Sequence, residues 1–596
     1  MKNLTLDFET YWDAQYTIKK LSVVEYVRDP TKFKVQGVGL KLDEAPTRWV
    51  TENISEELHA LDWANINLIG ANLYFDGSIL FEHFNIVPGR RTDVQSMARA
   101  LFPRDVRVNL NNLAEMLGLG HKIKGALDKT KGVRDLPPGL LAELGVYCIN
   151  DVDLTWEVYN TLLPAMPESE LDLIDMTTRM ATAPVLRLNK TEVALAYEEA
   201  KHIKETAIQE SGVDEKVLSS NQQFVAHLTS LGIKTPMKTN AKGIMIPALG
   251  QSDPEFLELM SEYPEHQKLW DGRAEAKSNI GISRAKKWQF IRTHGSCKMP
   301  MPLVYCGAHT TRWTGTDKLN VQNLPRGGKL RTSIEADDGY VILVGDSSQI
   351  ELRLSAWFCG QTDVLDTVRA GRCVYRKRAS ELFNKPEEEI TKHERGVAKA
   401  LVLGCGYGMG PPKFKRFCAS GPLGMPPMHF TSDESSALIQ GNRTSNHRIT
   451  GMWRELDGWL AMMMDPTLNE PFKCLQMRHE SIVLPNGLLL DYEGLRCTEG
   501  DGYRYGNNHP IWGGTLLENI IQALARIVVS DQMRAVDKLP GVQVVGCTHD
   551  EIIAVCPERY ADLRFDQIIT IMSQAPNWAP GLPLAAEGGW AKNYSK

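Results

Sequence analysis

Short apolar runs alternate with longer amphipathic segments along the chain, which predicts a mixture of β-strands and α-helices. Residues 341–345 (VILVG) are too short for a helix, lie between Gly339 and Asp346, and read as a buried strand. The apolar positions after Ser347 are spaced more widely, which predicts a short, partly buried segment. Residues 542–556 read as two further strands with a polar turn between them.

Helical periodicity is clearest in residues 394–410, where Arg395, Lys399, Leu403 and Tyr407 recur every four residues. On one helix these side chains would form a stripe roughly 18 Å long at about 1.5 Å per residue. Amphipathic patterns also predict helices over residues 168–180, 191–211, 253–262 and 267–278.

Acidic residues stand where the predicted central strands end. Asp346 follows the first strand, and His549, Asp550 and Glu551 form the turn between the other two. A single Asp at such a place is usually a turn or cap residue. Hairpin turns, however, favour Asn-Gly or Asp-Gly, which this turn lacks. We therefore predict that Asp346 and Asp550 face each other across one sheet and share divalent cations, as two-metal phosphoryl transfer requires.

Two cations occupy the N-terminal end of the predicted helix at residues 394–410, where the helix dipole disfavours them. A bound polyanion would explain this placement, with Arg395 and Lys399 on a triphosphate and Leu403 and Tyr407 against a base. The alternative is a solvated basic turn followed by core residues.

The N-terminal strand, residues 4–10, carries Asp7 and Glu9 on one face because they are two residues apart. Two acids on one face repel each other unless they are protonated, solvated or bound to metal. Asp76 follows another apolar stretch, and Tyr147 and Asp151 are spaced to share a helix face. Taken singly, each of these residues is more often a cap or a surface residue.

Composition places the chain among ordinary globular proteins: 596 residues, 43% hydrophobic, 23% charged. That length predicts about four domains. The net charge of −6 argues mildly against a nucleic-acid binder. Residues 281–300 and 369–378, however, each contain five Lys or Arg and no acid, so each is a solvated face or a groove for phosphates. The 11 cysteines form no CxxC pair and read as reduced core residues of a cytoplasmic protein. We expect no signal peptide and no membrane span.

Three of these stretches together resemble motifs A, B and C of the family A DNA polymerases. Motif A is similar to residues 346–353, motif B to Arg395-x3-Lys399-x7-Tyr407-Gly408, and motif C to residues 549–551. Residues 307–327 and 513–526 resemble the family's segment leading into the palm and its primer-side helix. The resemblance is closest to the bacteriophage branch.

The N-terminal acids resemble, in order, the Exo I, II and III motifs of DEDDy 3′–5′ exonucleases. This resemblance implies that Asp7, Glu9, Asp76 and Asp151 hold two divalent ions while Tyr147 orients the attacking water. Asp93 is a weaker match to an accessory position.

The resemblance implies a multidomain α/β and α+β protein: an RNase H-like exonuclease followed by a right-hand polymerase with thumb, palm and fingers. Pro164 and Pro167 flank the expected first boundary. The expected parts are an exonuclease domain (1–165), a helical linker and thumb (166–300), a first part of the palm (301–360), fingers (361–465) and a second part of the palm (466–596).

The implied activity is template-directed addition of dNTPs to a primer 3′ end, with proofreading, in phage DNA replication in the bacterial cytoplasm. Two Mg²⁺ per site, replaceable by Mn²⁺, would lie on Asp346 and Asp550, with Glu551 assisting near the primer. The implied nucleotide-binding residues are Arg395, Lys399, Leu403, Tyr407, Glu351 and Gln349. The implied DNA-binding residues are Arg312, Asn519, Gln522, His549, Gln322 and Asn323. We expect a monomer whose partners are primer-template DNA and dNTPs, and leave a processivity factor or helicase open.

Three alternatives stay open. A single-subunit RNA polymerase would incorporate ribonucleotides, although Glu351 and the N-terminal acids argue against it. An exonuclease with a DNA-binding but inactive polymerase half would keep all its activity without Asp346. A non-enzymatic replication scaffold would show no dependence on divalent metal.

Overall fold

The N-terminal region is built on a five-stranded sheet. The computed structural model describes residues 1–240, 243–421 and 425–595. The strand order is β3-β2-β1-β4-β5, with β1 antiparallel to β2 and parallel to β4. The strands are Lys2–Thr10 (β1), Val35–Leu42 (β2), Arg48–Val50 (β3), Ile66–Gly70 (β4) and Arg90–Asp93 (β5). The helices are Val23–Val27 (α1), Ile54–His59 (α2), Leu73–Phe84 (α3), Val94–Leu101 (α4), Leu110–Met116 (α5), Ala126–Thr130 (α6) and Pro138–Leu162 (α7).

Helix α7 packs across β1 and β2 and carries Tyr147 and Asp151 toward the strand that holds Asp7 and Glu9. The predicted strand at residues 4–10 is confirmed and begins two residues earlier. The predicted helix face shared by Tyr147 and Asp151 is also confirmed.

The next region is mainly helical, as its amphipathic pattern predicted. Its elements are Glu168–Thr182 (α8), Leu186–Leu188 (β6), Lys190–Ser211 (α9), Glu215–Ser219 (α10), Asn221–Ser230 (α11), Met237–Thr239 (β7), Met245–Pro247 (β8), Pro254–Glu262 (α12), Gln267–Lys277 (α13), Ile280–Thr293 (α14) and Lys298–Met299 (β9). The four predicted helices match α8, α9, α12 and α13 to within two residues at either end. Helix α8 packs against β5, while α13 and α14 pack against α9.

A four-stranded antiparallel sheet of order β21-β22-β13-β23 forms the centre of the C-terminal half. The elements leading to it are Leu303–Val304 (β10), Thr314–Gly315 (β11), Lys329–Thr332 (α15), Ile334–Glu335 (β12) and Tyr340–Ser347 (β13). Strand β13 confirms the predicted strand at residues 341–345. The segment that follows it, Ile350–Cys359 (α16), is a regular helix with Glu351 in its first turn.

Six helices follow: Thr362–Arg369 (α17), Val374–Phe383 (α18), Lys392–Cys405 (α19), Pro411–Ala419 (α20), Ser432–Ser445 (α21) and His447–Met462 (α22). Two small antiparallel sheets come next, made of Asn469–Phe472 (β14), Leu475–Arg478 (β15), Ser481–Val483 (β16), Leu489–Asp491 (β17), and of Arg496–Thr498 (β18), Gly502–Tyr505 (β19), His509–Ile511 (β20). The chain then forms Gly513–Asp537 (α23), Gln543–Thr548 (β21), Glu551–Pro557 (β22), Ala561–Met572 (α24) and Ala586–Ala591 (β23).

The prediction that residues 394–410 form one helix is wrong at its C-terminal end. Helix α19 stops at Cys405, so Tyr407 lies beyond it and does not continue the stripe of Arg395, Lys399 and Leu403. The reason is Gly408, which has φ +90°, a value that favours glycine and ends helices. A Cβ at this position would lie 2.1 Å from the Trp512 ring, which excludes larger residues.

Within residues 1–240, 243–421 and 425–595, no helix is both long and apolar enough to cross a bilayer.

Candidate active sites

The first cluster of acids, which we call the central acidic site, consists of Asp346, Asp550 and Glu551. Asp346 is paired with Glu551 in the register of β13 and β22. The backbone N–H of Ser347 donates to the carbonyl oxygen of Asp550 at 3.2 Å. The two-residue turn between β21 and β22 contains His549 at φ +57°, which turns the chain tightly enough to place Asp550 beside the end of β13. The predicted juxtaposition of Asp346 and Asp550 on one sheet is therefore confirmed.

Each acid of the central acidic site has its own surroundings. Burial, and then the charge of Asp346, raises the pKa of Asp550 to about 6. Burial also raises the pKa of Glu551, whose carboxylate accepts hydrogen bonds from Arg331 (3.0 and 3.2 Å) and from the Tyr594 hydroxyl. The Glu551 carboxylate is thus held in place by Arg331 and Tyr594. Because Asp346 and Glu551 are opposed in the antiparallel register, their side chains lie on the same face of the sheet.

The side chain of Arg326 donates to Asp346 Oδ2 at 2.6 Å and is itself 75% exposed. Sequence reasoning missed this contact, because nothing in the pattern of residues 307–327 distinguishes Arg326 from the other basic residues nearby. Because the exposed Arg326 side chain pairs with Asp346, this side of the Asp346 carboxylate is accessible to positively charged groups.

Glu351 links three parts of the chain beside the central acidic site. Its carboxylate accepts from Arg312 at 2.5 Å and from the Tyr407 hydroxyl at 3.5 Å. Although Tyr407 lies outside the helix, its hydroxyl therefore lies next to Glu351 of motif A. Burial raises the pKa of Tyr407, with a further contribution from Glu351.

The start of α19 is fixed by a capping box in which Thr391 and Glu394 satisfy each other's backbone N–H groups. The Arg395 guanidinium lies 5.5 Å from the centre of the Tyr375 ring. Burial and the charge of Arg395 lower the pKa of Lys399. The three predicted side chains Arg395, Lys399 and Leu403 thus share one helix, and Leu403 is 37% exposed.

The predicted DNA-contacting residues lie beside the central acidic site, on α23, and at Asn323. One small cavity is lined by three of them, Arg312, Gln322 and His549, together with Asp550. On α23, Asn519 donates to the Tyr492 hydroxyl at 3.1 Å, and Gln522 donates to Glu518 at 3.2 Å. Asn323 is exposed beside Gln322, and its carbonyl accepts from Arg284 at 3.3 Å. Gln349 precedes α16 with φ +55°.

The basic stretch at residues 369–378 is largely neutralised by neighbouring acids. Arg369 pairs with Asp366 at 3.0 Å, Arg372 with Glu387 at 3.3 Å and Arg378 with Glu381 at 2.6 Å. These pairs favour the alternative that this stretch is a structural face rather than a phosphate groove.

The second cluster, which we call the N-terminal acidic site, consists of Asp7, Glu9, Asp76 and Asp151. All four line one cavity of about 610 Å³, together with Tyr147. Asp76 lies in the first turn of α3 and accepts a hydrogen bond from the backbone N–H of Phe8 at 3.0 Å, which ties it to β1. The structure thus brings together all five residues that the sequence predicted for this site.

Burial dominates the electrostatics of the N-terminal acidic site. Burial, and then the charge of Asp151, raises the pKa of Asp7 to about 7. The pKa values of Glu9, Asp76 and Asp151 are raised as well, with burial as the largest cause in each. Buried carboxylates that repel one another are stabilised as anions when a cation is present.

Asp93 is a structural residue. Its Oδ1 accepts from the backbone N–H groups of Asn72 (2.7 Å) and Leu73 (3.2 Å), and its Oδ2 caps α4 at Ser96 (3.0 Å). It therefore holds the start of α3, which carries Asp76.

Lys122 is a residue of the N-terminal acidic site that sequence reasoning missed. Its Nζ lies 2.5 Å from Asp151 Oδ2 and 5.1 Å from the centre of the Tyr147 ring. Lys122 comes from a loop with no periodic pattern, so its approach to the acids could not be read from the sequence.

Comparison with known proteins shows similarity to one family. Residues 187–419 match the family model for DNA polymerase family A. A DNA polymerase of Bacillus phage SP02 is 24% identical over the whole length of both chains. The chain is therefore similar to DNA polymerase family A over this region, and to the phage polymerase over its full length.

The chain is also similar to parts of DNA polymerases I from bacteria. DNA polymerase I of Borreliella burgdorferi is 22% identical, over 68% of this chain and 45% of that protein. DNA polymerase I of Aquifex aeolicus is 25% identical, over 57% of this chain and 60% of that protein. The fold is similar to a solved structure described as the POL domain of Pol1 from M. smegmatis in complex with DNA primer-template and dNTP. The TM-score is 0.67 at 15% identity, covering 100% of this chain and 96% of the other.

Proposed function

We propose that this protein is a template-directed DNA polymerase that extends a primer 3′ end with dNTPs and also carries a 3′–5′ exonuclease site. The observation that carries the polymerase proposal is the pairing of β13 with β22, which places Asp346 beside Asp550 where these two central strands meet the turn at residues 549–550. The similarity to DNA polymerase family A and to a phage DNA polymerase supports the same activity.

The donors of both acidic sites fit Mg²⁺ or Mn²⁺, since they are carboxylate oxygens, which such hard cations prefer. Asp346 and Asp550 would hold the ions of the polymerase site, and Asp7, Glu9, Asp76 and Asp151 those of the exonuclease site. Asp151 Oδ1 is buried and has no hydrogen-bond partner in the described part of the chain, so this oxygen is available as a ligand. When bound, such ions activate an attacking oxygen and offset the charge that develops on phosphate.

The nucleotide would lie between α19 and the central sheet. Arg395 and Lys399 would contact its triphosphate with positive charges on one helix face, one turn apart. Tyr407 and Glu351 would flank its sugar and base, because their side chains meet beside Asp346. Leu403, half-exposed farther along α19, and Gln349 would complete the pocket.

Primer-template DNA would lie against Arg312, Gln322, His549, Asn519 and Gln522. Such polar side chains can contact the minor groove, where purine N3 and pyrimidine O2 recur in every correct pair. Asn323, exposed beside Gln322, would contact the template from its outer side.

The N-terminal cavity is large enough for the terminal nucleotide of a single strand, since pockets of roughly 300–1,000 Å³ hold small ligands. Its acids would bind the two ions, and Tyr147 would orient the attacking water. We propose that residues 1–165 form the exonuclease domain, 166–300 the linker and thumb, 301–360 and 466–596 the palm, and 361–465 the fingers. The whole-length similarity to a phage polymerase supports a role in phage DNA replication.

The test is extension of a 5′-labelled primer on a longer template with Mg²⁺ and four dNTPs, using wild type, Asp550→Ala and Asp7→Ala. We expect wild type to extend, Asp550→Ala only to shorten the primer, and Asp7→Ala to extend without shortening. Extension by Asp550→Ala at the wild-type rate would contradict the polymerase site. Unchanged shortening by Asp7→Ala would contradict the exonuclease site.

A further inference from the structure

The loop that delivers Lys122 to the N-terminal acidic site is held at both sides of that residue. The backbone N–H of Lys122 donates to Asn111 Oδ1 at 3.0 Å. The backbone N–H of Ile123 donates to Asn150 Oδ1 at 3.1 Å, and Asn150 directly precedes Asp151 on α7. The loop is therefore tied to the same helix that carries Tyr147 and Asp151, so the ammonium group is directed into the cavity by structure on both sides.

The Lys122 ammonium pairs with one of the two carboxylate oxygens of the buried Asp151. Nζ lies 2.5 Å from Asp151 Oδ2, and Asp151 Oδ1 is without a hydrogen bond among the described residues. The Lys122 side chain remains 29% exposed, so it has open space to move into the cavity. A cation bound to Asp151 would repel the ammonium. A lysine side chain has four rotatable bonds, so the ammonium can move away from the cation.

A displaced ammonium can pair with the anion that the cavity would bind. We propose that Lys122 is a catalytic residue of the exonuclease site, which binds a non-bridging oxygen of the scissile phosphate once divalent ions hold the carboxylates. This inference rests on the proposed exonuclease function. Six carboxylates line the cavity, four of them those of the N-terminal acidic site, and Lys19, Lys20 and Lys131 line it as well. Among the described residues, Lys122 is the lysine that pairs with one of those four acids, so its charge offsets their repulsion of a phosphate at that place.

The reaction is hydrolysis of the terminal phosphodiester. The oxygen of water forms a bond to phosphorus while the bond from phosphorus to the 3′ oxygen breaks, and its electron pair goes to that 3′ oxygen. The water loses one proton and the leaving 3′ oxygen gains one, so the products are a nucleoside 5′-monophosphate and a shortened strand. Negative charge grows on the non-bridging oxygens in the transition state, and a lysine ammonium there acts most strongly at that point.

The experiment compares wild type, Lys122→Gln, Lys122→Arg and the matched control Lys129→Gln. Lys129 pairs with Glu143 on the surface, and both side chains are more than half exposed, so this control removes the same charge outside the cavity. We expect the single-turnover rate on a single-stranded oligonucleotide with Mg²⁺ to fall on the order of 10²-fold in Lys122→Gln. Lys122→Arg should recover part of that loss, and Lys129→Gln should match wild type.

Two further measurements separate catalysis from a role in organising the site. Binding of Mn²⁺ to the DNA-free protein should be as tight or tighter in Lys122→Gln, because a competing cation is removed. Oligonucleotide affinity in Ca²⁺ should fall in Lys122→Gln by a much smaller factor than the rate, because the ammonium acts most strongly in the transition state. A Lys122→Gln rate within threefold of wild type, or a loss that disappears at high Mg²⁺, would overturn the proposal. If wild type and Asp7→Ala degrade DNA equally, the proposed exonuclease function itself fails, which is a different result.

Discussion

Glu170 on α8 and Arg526 on α23 form an ion pair with two parallel hydrogen bonds of 2.7 Å, and their side chains are 2% and 1% exposed. Asn486 and Tyr305 donate to the same carboxylate. Helix α8 also packs on β5 of the N-terminal sheet, and α23 carries Asn519 and Gln522. This pair therefore joins the N-terminal region to the helix that we propose contacts the primer.

Replacing Glu170 by Gln is expected to destabilise the protein strongly. The change leaves the Arg526 charge buried without its counter-ion, which typically costs about 3–5 kcal/mol. The measurement is chemical denaturation followed by fluorescence. A double replacement, Glu170→Leu with Arg526→Met, should recover much of the loss because no charge is left buried. A single variant as stable as wild type would contradict this account of the interface.

The sequence predicted the central acidic site because local pattern and local chemistry agree there. An apolar run indicated β13, and acids in place of Asn-Gly indicated the turn that holds Asp550. The position of Tyr407 was predicted wrongly, because the end of α19 depends on how Gly408 packs against Trp512, far away in the sequence.

Lys122 and Arg326 show a second limit of the sequence. Each is a basic residue in a loop that reaches an acid only through the folded chain, to Asp151 and Asp346 respectively. Periodicity gives no information about such contacts, and a basic loop residue is most often solvated. The same holds for Glu170, whose buried pairing with Arg526 spans more than half of the chain.

Asp317 provides a pH-dependent contact between the two halves of the chain. Its carboxylate accepts from the backbone N–H of Val23 at 2.7 Å and from the Tyr74 hydroxyl at 2.8 Å. Burial raises its pKa from 3.8 to about 6. The folded state therefore binds more protons than the unfolded state between these two pH values, so this group's contribution to stability falls as pH rises through that window.

Asp317→Asn should remove this pH dependence. One pKa unit corresponds to about 1.4 kcal/mol. The free energy of unfolding of the variant is therefore expected to rise by about 3 kcal/mol relative to that of wild type as the pH goes from 4 to 7. Asparagine can keep both contacts and tolerates the left-handed backbone of this residue, φ +57°. The measurement is the difference between the two proteins in the free energy of unfolding, obtained from thermal unfolding at each pH. A difference that stays constant with pH would show that Asp317 is ionised in the folded protein.

Glu351→Ala is expected to weaken discrimination against ribonucleotides. The side chain fills the space between Arg312 and Tyr407, and we propose that it lies beside the sugar. Removing this bulk should raise the efficiency of ribonucleotide relative to deoxynucleotide incorporation on the order of 10²-fold. Glu351→Gln keeps the size and removes the charge, so it should discriminate nearly as well as wild type. Equal loss in both variants would assign the effect to charge instead.

Tyr594→Phe tests how the segment after the last strand, β23, supports the central acidic site. The Tyr594 hydroxyl donates to Glu551, and this bond lowers the Glu551 pKa against the effect of burial. Without it the pKa should rise, so fewer molecules hold an ionised Glu551 at mildly acidic pH.

We therefore expect the acid limb of primer extension by Tyr594→Phe to move to higher pH, with little change at pH 9, where Glu551 is ionised in both proteins. Losing one buried hydrogen bond should also cost about 1–3 kcal/mol of stability. Primer shortening without dNTPs is the internal control and should keep its wild-type pH profile, because the N-terminal acidic site lacks Tyr594. An unchanged polymerase profile would mean that Glu551 does not need its negative charge for extension. Arg331, which also binds this carboxylate, would then be sufficient to hold it in place.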